Sequence, residues 1–214
     1  MPISFDEALK FVLKQEGGYS NHPADKGGAT NKGIIQSVYN RYRRDKNLSV
    51  RPVKDIEDRE VKEIYETQYW DKIRSQYIKA PLGLVLFDTA VNFGVGGCIR
   101  RLQKALNVPV TGSWTQNISD VIHTCDAGKV ALSICKMRME WRNYISQHDT
   151  SQKVFLRGWL NRDNALASEV KRMIGAGILE VEDEEFEDDE SREFDDATLI
   201  DVAQEDLRWI FIDV

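Results

Sequence analysis

Cysteine is scarce in this chain. Only Cys98, Cys125 and Cys135 occur among 214 residues. An odd number at no metal-ligand spacing argues against a disulfide framework and reads as reduced, buried thiols. Histidine is as rare: His22, His123 and His148 are scattered with no His-x-x-x-His pattern, so no metal site is expected. No P-loop and no dinucleotide fingerprint occurs, and no cofactor is expected. Proline is limited to five residues. No uninterrupted apolar run approaches the ~18 residues of a spanning helix, so no membrane span is expected. The N-terminal segment is charged and amphipathic, unlike a signal peptide, which implies synthesis in the cytoplasm.

What the chain does have is an uneven charge. The formal net charge is −6. Residues 180–214 hold 16 Asp and Glu against Arg192 and Arg208, a net of −14, whereas residues 1–179 carry +8. A basic body is drawn to anionic polymers, such as wall glycan with its anionic attachments or nucleic acid. The acidic stretch Glu180–Glu190 has the composition of a solvated, disordered run. Apolar residues follow it, among them Leu199, Leu207, Trp209, Ile210 and Phe211. Three readings of the tail stay open: a solubility tail, a mask over the basic face of the same chain, and a docking peptide for a protein partner.

The most informative stretch is Glu16–Ile34. Ahead of it, Ser4 and Glu7 fit a capping box, and Phe5, Leu9, Val12 and Leu13 recur at helical spacing. Gly17 and Gly18 are expected to end this helix in a left-handed cap, leaving Glu16 in its last turn. There the helix dipole disfavours a second negative charge, which favours the neutral carboxyl. A protonated carboxyl is what a glycosidase needs to protonate a leaving oxygen. Gly27, Gly28 and Gly33 then predict a tight irregular hairpin over about 17–34. Asp25 and Thr30 lie nine and fourteen residues after Glu16, and a returning turn would bring both back to it. Asp25 is the candidate to deprotonate a water, and Thr30 to hold that water or the substrate. On spacing alone, a helix-terminal Glu followed by an Asp-containing turn is also an ordinary surface feature.

The pattern Glu16-Gly-Gly-Tyr19, then Pro23-x-Asp25-x-Gly27-Gly28-x-Thr30-x-x-Gly33-Ile34, resembles the opening motif of the glycoside hydrolase family 108 N-acetylmuramidases. These are lysozyme-like enzymes of phage endolysins and secretion-associated muramidases. The resemblance implies that Glu16 is the catalytic acid. The Glu–Asp–Thr spacing is also similar to the catalytic region of phage T4-type lysozymes, which supports Asp25 and Thr30. Two further segments resemble the family: Phe87-Asp88-x-Ala90-Val91-Asn92-x-Gly94 with Leu102-Gln103-x-Ala105-Leu106-Asn107, and Gly158-Trp159-Leu160-Asn161-Arg162. The first looks like the region called a predicted peptidoglycan domain. Where the family carries an Asp-Gly turn this chain reads Val110-Thr111-Gly112-Ser113-Trp114, so residues 80–175 are read as a second lobe of one domain rather than as a separate binding module.

The remaining expectations follow the chain. Ile34 to Arg44 predicts a helix with a basic face (Arg41, Arg43, Arg44). Val61, Ile64 and Tyr65 predict a third helix ending at Tyr69-Trp70, an aromatic pair that either packs in the core or walls a sugar cleft. Residues 81–94 are apolar nearly all round and predict a buried central helix broken at Gly94, Gly96 and Gly97. Asp88 and Asn92 share one of its faces and need partners; bracing suits Asp88, and the cleft is open to Asn92. Tyr19, Tyr69, Trp70 and Asn92 are the candidate substrate contacts.

These observations predict a mainly α, lysozyme-like two-lobed domain over 1–175 with a small irregular β-hairpin, followed by an acidic tail over 176–214. The activity implied by the resemblance is cell-wall lysis by cleavage of the β-1,4 bond between N-acetylmuramic acid and N-acetylglucosamine. The partner is peptidoglycan glycan, with no nucleic acid expected. Reaching the wall without a signal peptide would take a holin, a virion or another export route. Two rivals remain: a lytic transglycosylase acting on the same bond through one acid/base Glu, and a wall-binding or assembly module without catalysis.

Overall fold

A computed structural model describes residues 1–21 and 28–178. His22, Asp25 and the acidic tail, with the readings placed on them, lie outside the described residues. The architecture is mainly helical, as the sequence predicts. Helix α1 spans Phe5–Gln15, α2 Gln36–Asp45, α3 Asp58–Tyr65, α4 Ala80–Ala105, α5 Gln116–Val121, α6 Ala127–His148 and α7 Lys153–Ile178. Strands β1 (Thr30–Asn31) and β2 (Ile34–Ile35) form one antiparallel hairpin.

Helix α1 begins as its sequence demands. Ser4 Oγ accepts from Glu7 N at 3.3 Å, and Ser4 N donates to Glu7 Oε2 at 3.2 Å. These are the two reciprocal bonds of a capping box. Ala8, Leu9 and Val12 bury the apolar face. Its other end departs from expectation. Neither Gly17 nor Gly18 is left-handed. Glu16 itself turns to an extended conformation (φ −81°, ψ 146°) while its N–H still bonds to Val12 O. Glu16 is thus the residue that closes the helix, just past its last turn.

The hairpin turns on Lys32 and Gly33, both with positive φ (52° and 75°). Two such residues between paired strands make the turn whose twist matches the strands. Ser20 pairs with Thr30 through two 2.8 Å bonds, returning the chain from α1 to β1. Asn31 Nδ2 donates to Val53 O and Lys54 O, and Gln36 bonds both Arg51 O and Val53 N. The hairpin is therefore tied to the 3-10 turn before α3.

The basic face predicted for α2 is divided by the fold. Arg43 is buried and pairs with Glu60 of α3 at 2.6 Å, beside Arg51 and the Tyr39 hydroxyl. Arg44 stays exposed.

Helix α4 forms the core. Leu82, Val85, Leu86, Phe87 and Ala90 are fully buried, and α6 and α7 pack against it. By length and composition alone α4 could cross a membrane; its burial among the other helices marks it as a core helix. The predicted break occurs at Gly94 alone (φ 70°, ψ 163°), and the helix resumes through Gly96 and Gly97. Beyond it, the buried Gln103 accepts from Thr111 N and Gly112 N at 2.9 Å and donates to Ser113 O at 3.0 Å. One side chain thus holds the turn where the sequence departs from the family pattern. Cys98, Cys125 and Cys135 are free thiols, and burial pushes Cys98 and Cys135 up to about 12. Helix α7 runs past Gly175, where the composition changes, to Ile178.

Candidate active site

A cleft of about 620 Å³ opens between the hairpin side of the molecule and the α4–α7 layer. Glu16, Gly33, Tyr65, Tyr69, Asn92, Phe93 and Arg162 line it, with Arg41 and Gln68 on the α2–α3 side. The break at Gly94 places residues 93–97 along its wall.

Glu16 is the only carboxylate among the described lining residues. Its side chain keeps 18% of its surface exposed. Arg162 of α7 donates from Nη1 to Glu16 Oε1 at 2.7 Å. On the other side of the carboxylate, Oε2 lies against Gly33: a Cβ there would stand 2.8 Å from Oε2 and 2.5 Å from the Tyr65 hydroxyl. Glycine is therefore required at position 33 twice, for the turn's positive φ and for the approach of the carboxylate. Tyr65 donates to Lys32 O at 2.9 Å, which fixes the turn from below. Burial first, and the Glu16 charge second, push the Tyr65 hydroxyl well above its ordinary range, so it stays a hydrogen-bond donor.

Arg162 is itself held. Its Nη2 donates to Asp88 Oδ1 at 2.7 Å and its Nε to both Asp88 oxygens. The Asp88 Oδ2 pairs with Arg138 at 2.8 Å, Arg138 with Asp163 at 2.6 Å, and Asp163 with Arg142 at 2.8 Å. Burial alone would raise the Asp88 carboxyl, but Arg138 and Arg162 outweigh it and hold it below its usual value. For Arg162, burial opposes the charge, and Asp88 and then Glu16 more than compensate. Arg142 is the member left least supported; burial brings it down to about 10 despite Asp163. Asn92 donates to Asp88 O at 2.9 Å, and Arg101, Arg138 and Arg142 lie over the Phe93 ring at 4.0, 5.3 and 4.7 Å. The bracing role expected of Asp88 is present: it orients the arginine that orients Glu16.

The other predicted site residues separate. Tyr69 and Asn92 line the cleft. Trp70 does not: it is 3% exposed and packs edge-on to Phe87 at 5.2 Å. One π-helical turn over Glu66–Trp70, closed by Asp71 N on Glu66 O, divides the aromatic pair between cleft and core. Such turns recur at functional sites. The two adjacent aromatics thus separate, Tyr69 toward the cleft and Trp70 into the core. Thr30 sits in the hairpin, half-buried, outside the described cleft lining, and its Oγ1 faces Gly28 O at 3.5 Å. Tyr19 is half exposed and also outside that lining. Among the described residues no His, Cys, Asp and Glu cluster could hold a metal ion.

Residues 9–94 match the model of the family described as Glycosyl hydrolase 108. The matched stretch contains Glu16, the hairpin and the first half of α4. Over that stretch the chain is similar to glycosyl hydrolase family 108. A solved structure of SagA from Brucella abortus is similar to it at 26% identity, with a TM-score of 0.65, over 78% of this chain and 94% of that one. That likeness extends well past residue 94, so it takes in helices outside the family match. No curated protein matches the chain. The likeness to family 108 supports a glycoside hydrolase, and peptidoglycan hydrolysis in general.

Arg162, Arg138, Arg142 and Asp163 were missed as site residues from sequence. A signal existed for part of this network. Arg138 and Arg142 stand at core positions of α6, in helical phase with the buried Ile134, Trp141 and Ile145. A charge in an apolar stripe needs a buried counter-charge.

Proposed function

We propose that the protein is an N-acetylmuramidase cleaving the β-1,4 bond between N-acetylmuramic acid and N-acetylglucosamine. The observation that carries this reading is Glu16: a carboxyl group at a family 108 cleft, with Oε1 engaged by Arg162 and Oε2 beside a glycine. Glu16 delivers its proton to the glycosidic oxygen as the C1–O bond breaks. The positive charge that develops on the sugar ring is then quenched by water. Asp25, contributed by the sequence motif, takes the proton from that water, with Thr30 assisting, and attack from the opposite face inverts C1. Tyr69 and Asn92 contact the sugars. The domain over 1–175 acts as one unit, since Glu16 from α1 is positioned by Arg162 from α7.

Mass spectrometry of purified peptidoglycan digests tests the reading. Fragments with a reducing muramic acid end are expected. Anhydromuramic ends would assign a transglycosylase instead, and an unchanged wall would leave a binding module. Running the full chain beside a truncation ending at Gly175 also tests the acidic tail: products from the truncation alone would make the tail a mask.

A further inference from the structure

The aromatic surface does not end at the cleft. On α7, residues 155, 158, 159 and 162 fall on one face, because a helix repeats every 3.6 residues. Arg162 occupies the cleft end of that face. About 10 Å along the helix, Phe155 is 53% exposed. Between them Trp159 is partly buried, its ring 5.8 Å from that of Phe155 and tilted by 31°. The buried Arg142 supports both regions from within, lying 4.7 Å from the Phe93 ring of the cleft and 5.0 Å from the Trp159 ring. Gly158 lies beside the pair, and a Cβ there would meet nothing within 4 Å. Glycine is a poor helix former in a helix interior, and neither packing nor a positive φ requires it here.

We propose that Phe155, Gly158 and Trp159 form an outer sugar-binding subsite, carrying the glycan strand from the cleft onto α7. This rests on the glycan-hydrolase reading of the cleft. The exposed Phe155 ring provides an apolar face onto which sugar C–H groups stack. The partly buried Trp159, packed against Trp141 and Ile145, borders it, and Gly158 leaves the space between ring and helix open. Continuity with the cleft along the α7 face that ends at Arg162 favours the strand bound there as the occupant.

The test uses full-length protein silenced by Glu16→Gln and soluble peptide-free glycan strands from peptidoglycan, with affinity read by titration and folding by Tm. Adding Phe155→Ala is expected to weaken binding about tenfold, the scale of one lost aromatic contact. Adding Gly158→Gln is expected to raise Tm, since Gln favours helix, and yet to weaken binding; a merely structural glycine would not move the two in opposite senses. Val154→Ala, an exposed apolar change on another face of α7, is expected to leave affinity within twofold. Unchanged affinity in both the Phe155 and Gly158 variants would end the strand's path at the cleft and overturn the proposal. Equal weakening by Val154→Ala would also overturn it, pointing to a general apolar docking surface for protein. Should the Glu16→Gln protein bind no glycan and the parent release no muropeptides, the hydrolase reading fails first and the subsite with it.

Discussion

Two buried ion networks lie on either side of the cleft, and they differ in how they end. The first joins α2 to α3: Glu60 receives Arg43 and Arg51, and Tyr39 donates to it at 2.6 Å. Through Arg51 it continues to Glu57 and Arg59 at the surface, so its charges answer one another without reaching the catalytic carboxylate. The second runs Arg142–Asp163–Arg138–Asp88–Arg162 across α4, α6 and α7 and ends at Glu16, a carboxylate in the cleft. Burying charge is costly in both, and each is held by counter-charges rather than by apolar packing. The closed network serves position only. The open one transmits position to a group that retains an oxygen for chemistry.

The sharpest way to break this comparison is to neutralise one carboxylate in each network. Glu16→Gln is expected to lower the rate of muropeptide release about 10³-fold, the scale of a lost general acid, with Tm nearly unchanged because the amide oxygen still accepts from Arg162. Glu60→Gln should do the reverse. It leaves Arg43 buried without its counter-charge and costs about 3 kcal/mol of stability, while the folded fraction keeps its rate. Denaturant titration beside a muropeptide assay separates the two. Muropeptide release at the parent rate by the Glu16→Gln protein would remove Glu16 from catalysis.

Next in size is the link itself. Arg162→Lys keeps a positive charge but loses the fork that reaches Glu16 and Asp88 together. The expected result is a fall in kcat of about 100-fold at little change in KM, the pattern of misplaced catalytic geometry. The matching change in the closed network, Arg43→Lys, should leave kcat alone.

These networks also mark where sequence reasoning reached and where it stopped. Helix α1, its capping box and the Glu16 motif are local, and local patterns carried them. The nearly all-round apolar character of residues 81–94 likewise announced a core helix, though the break expected at Gly94, Gly96 and Gly97 is confined to Gly94. The Arg162–Glu16 pair spans 146 positions, and no spacing rule links the end of one helix to the face of another so far away. The parting of Tyr69 from Trp70 was hidden for a different reason. Their separation depends on one π-helical turn, a backbone event with no side-chain signature. At Gly17-Gly18 the glycines suggested a left-handed cap, yet the chain turned one residue earlier, at the carboxylate.

A pH titration of stability compares the networks more gently. Asp88 and Glu60 are both held below their ordinary values, burial opposing and their cationic or hydrogen-bonding partners prevailing. A depressed carboxyl stabilises fully above its unfolded value of about 4 and loses that contribution as pH falls through the lower folded value. Acid unfolding below about pH 4 is expected. Asp88→Asn should lower stability near pH 7 by about 3 kcal/mol and flatten the acid limb. Because Asp88 holds Arg162, this variant should also lose muropeptide release at pH 7, which Glu60→Gln does not. Equal losses of rate in the two would dissolve the distinction between an open and a closed network.

The smallest effect concerns the ground on which the open end rests. Gly33 has φ +75° and no room for a Cβ, with the Tyr65 hydroxyl at 2.5 Å and Glu16 Oε2 at 2.8 Å from where one would stand. Gly33→Ala is expected to cost about 1–2 kcal/mol from the left-handed backbone alone. The added methyl must also displace either the Tyr65 ring or the Glu16 carboxylate. Tyr65→Phe in the same chain tells which one yields. It removes the hydroxyl that meets the methyl, at the cost of its bond to Lys32 O. If the hydroxyl is the obstacle, the double variant recovers the rate that Gly33→Ala loses; if the carboxylate is displaced, the rate stays low while Tm still reports a folded chain. The second outcome is expected, since Glu16 is held by a single arginine whereas Tyr65 is 1% exposed in the packed core.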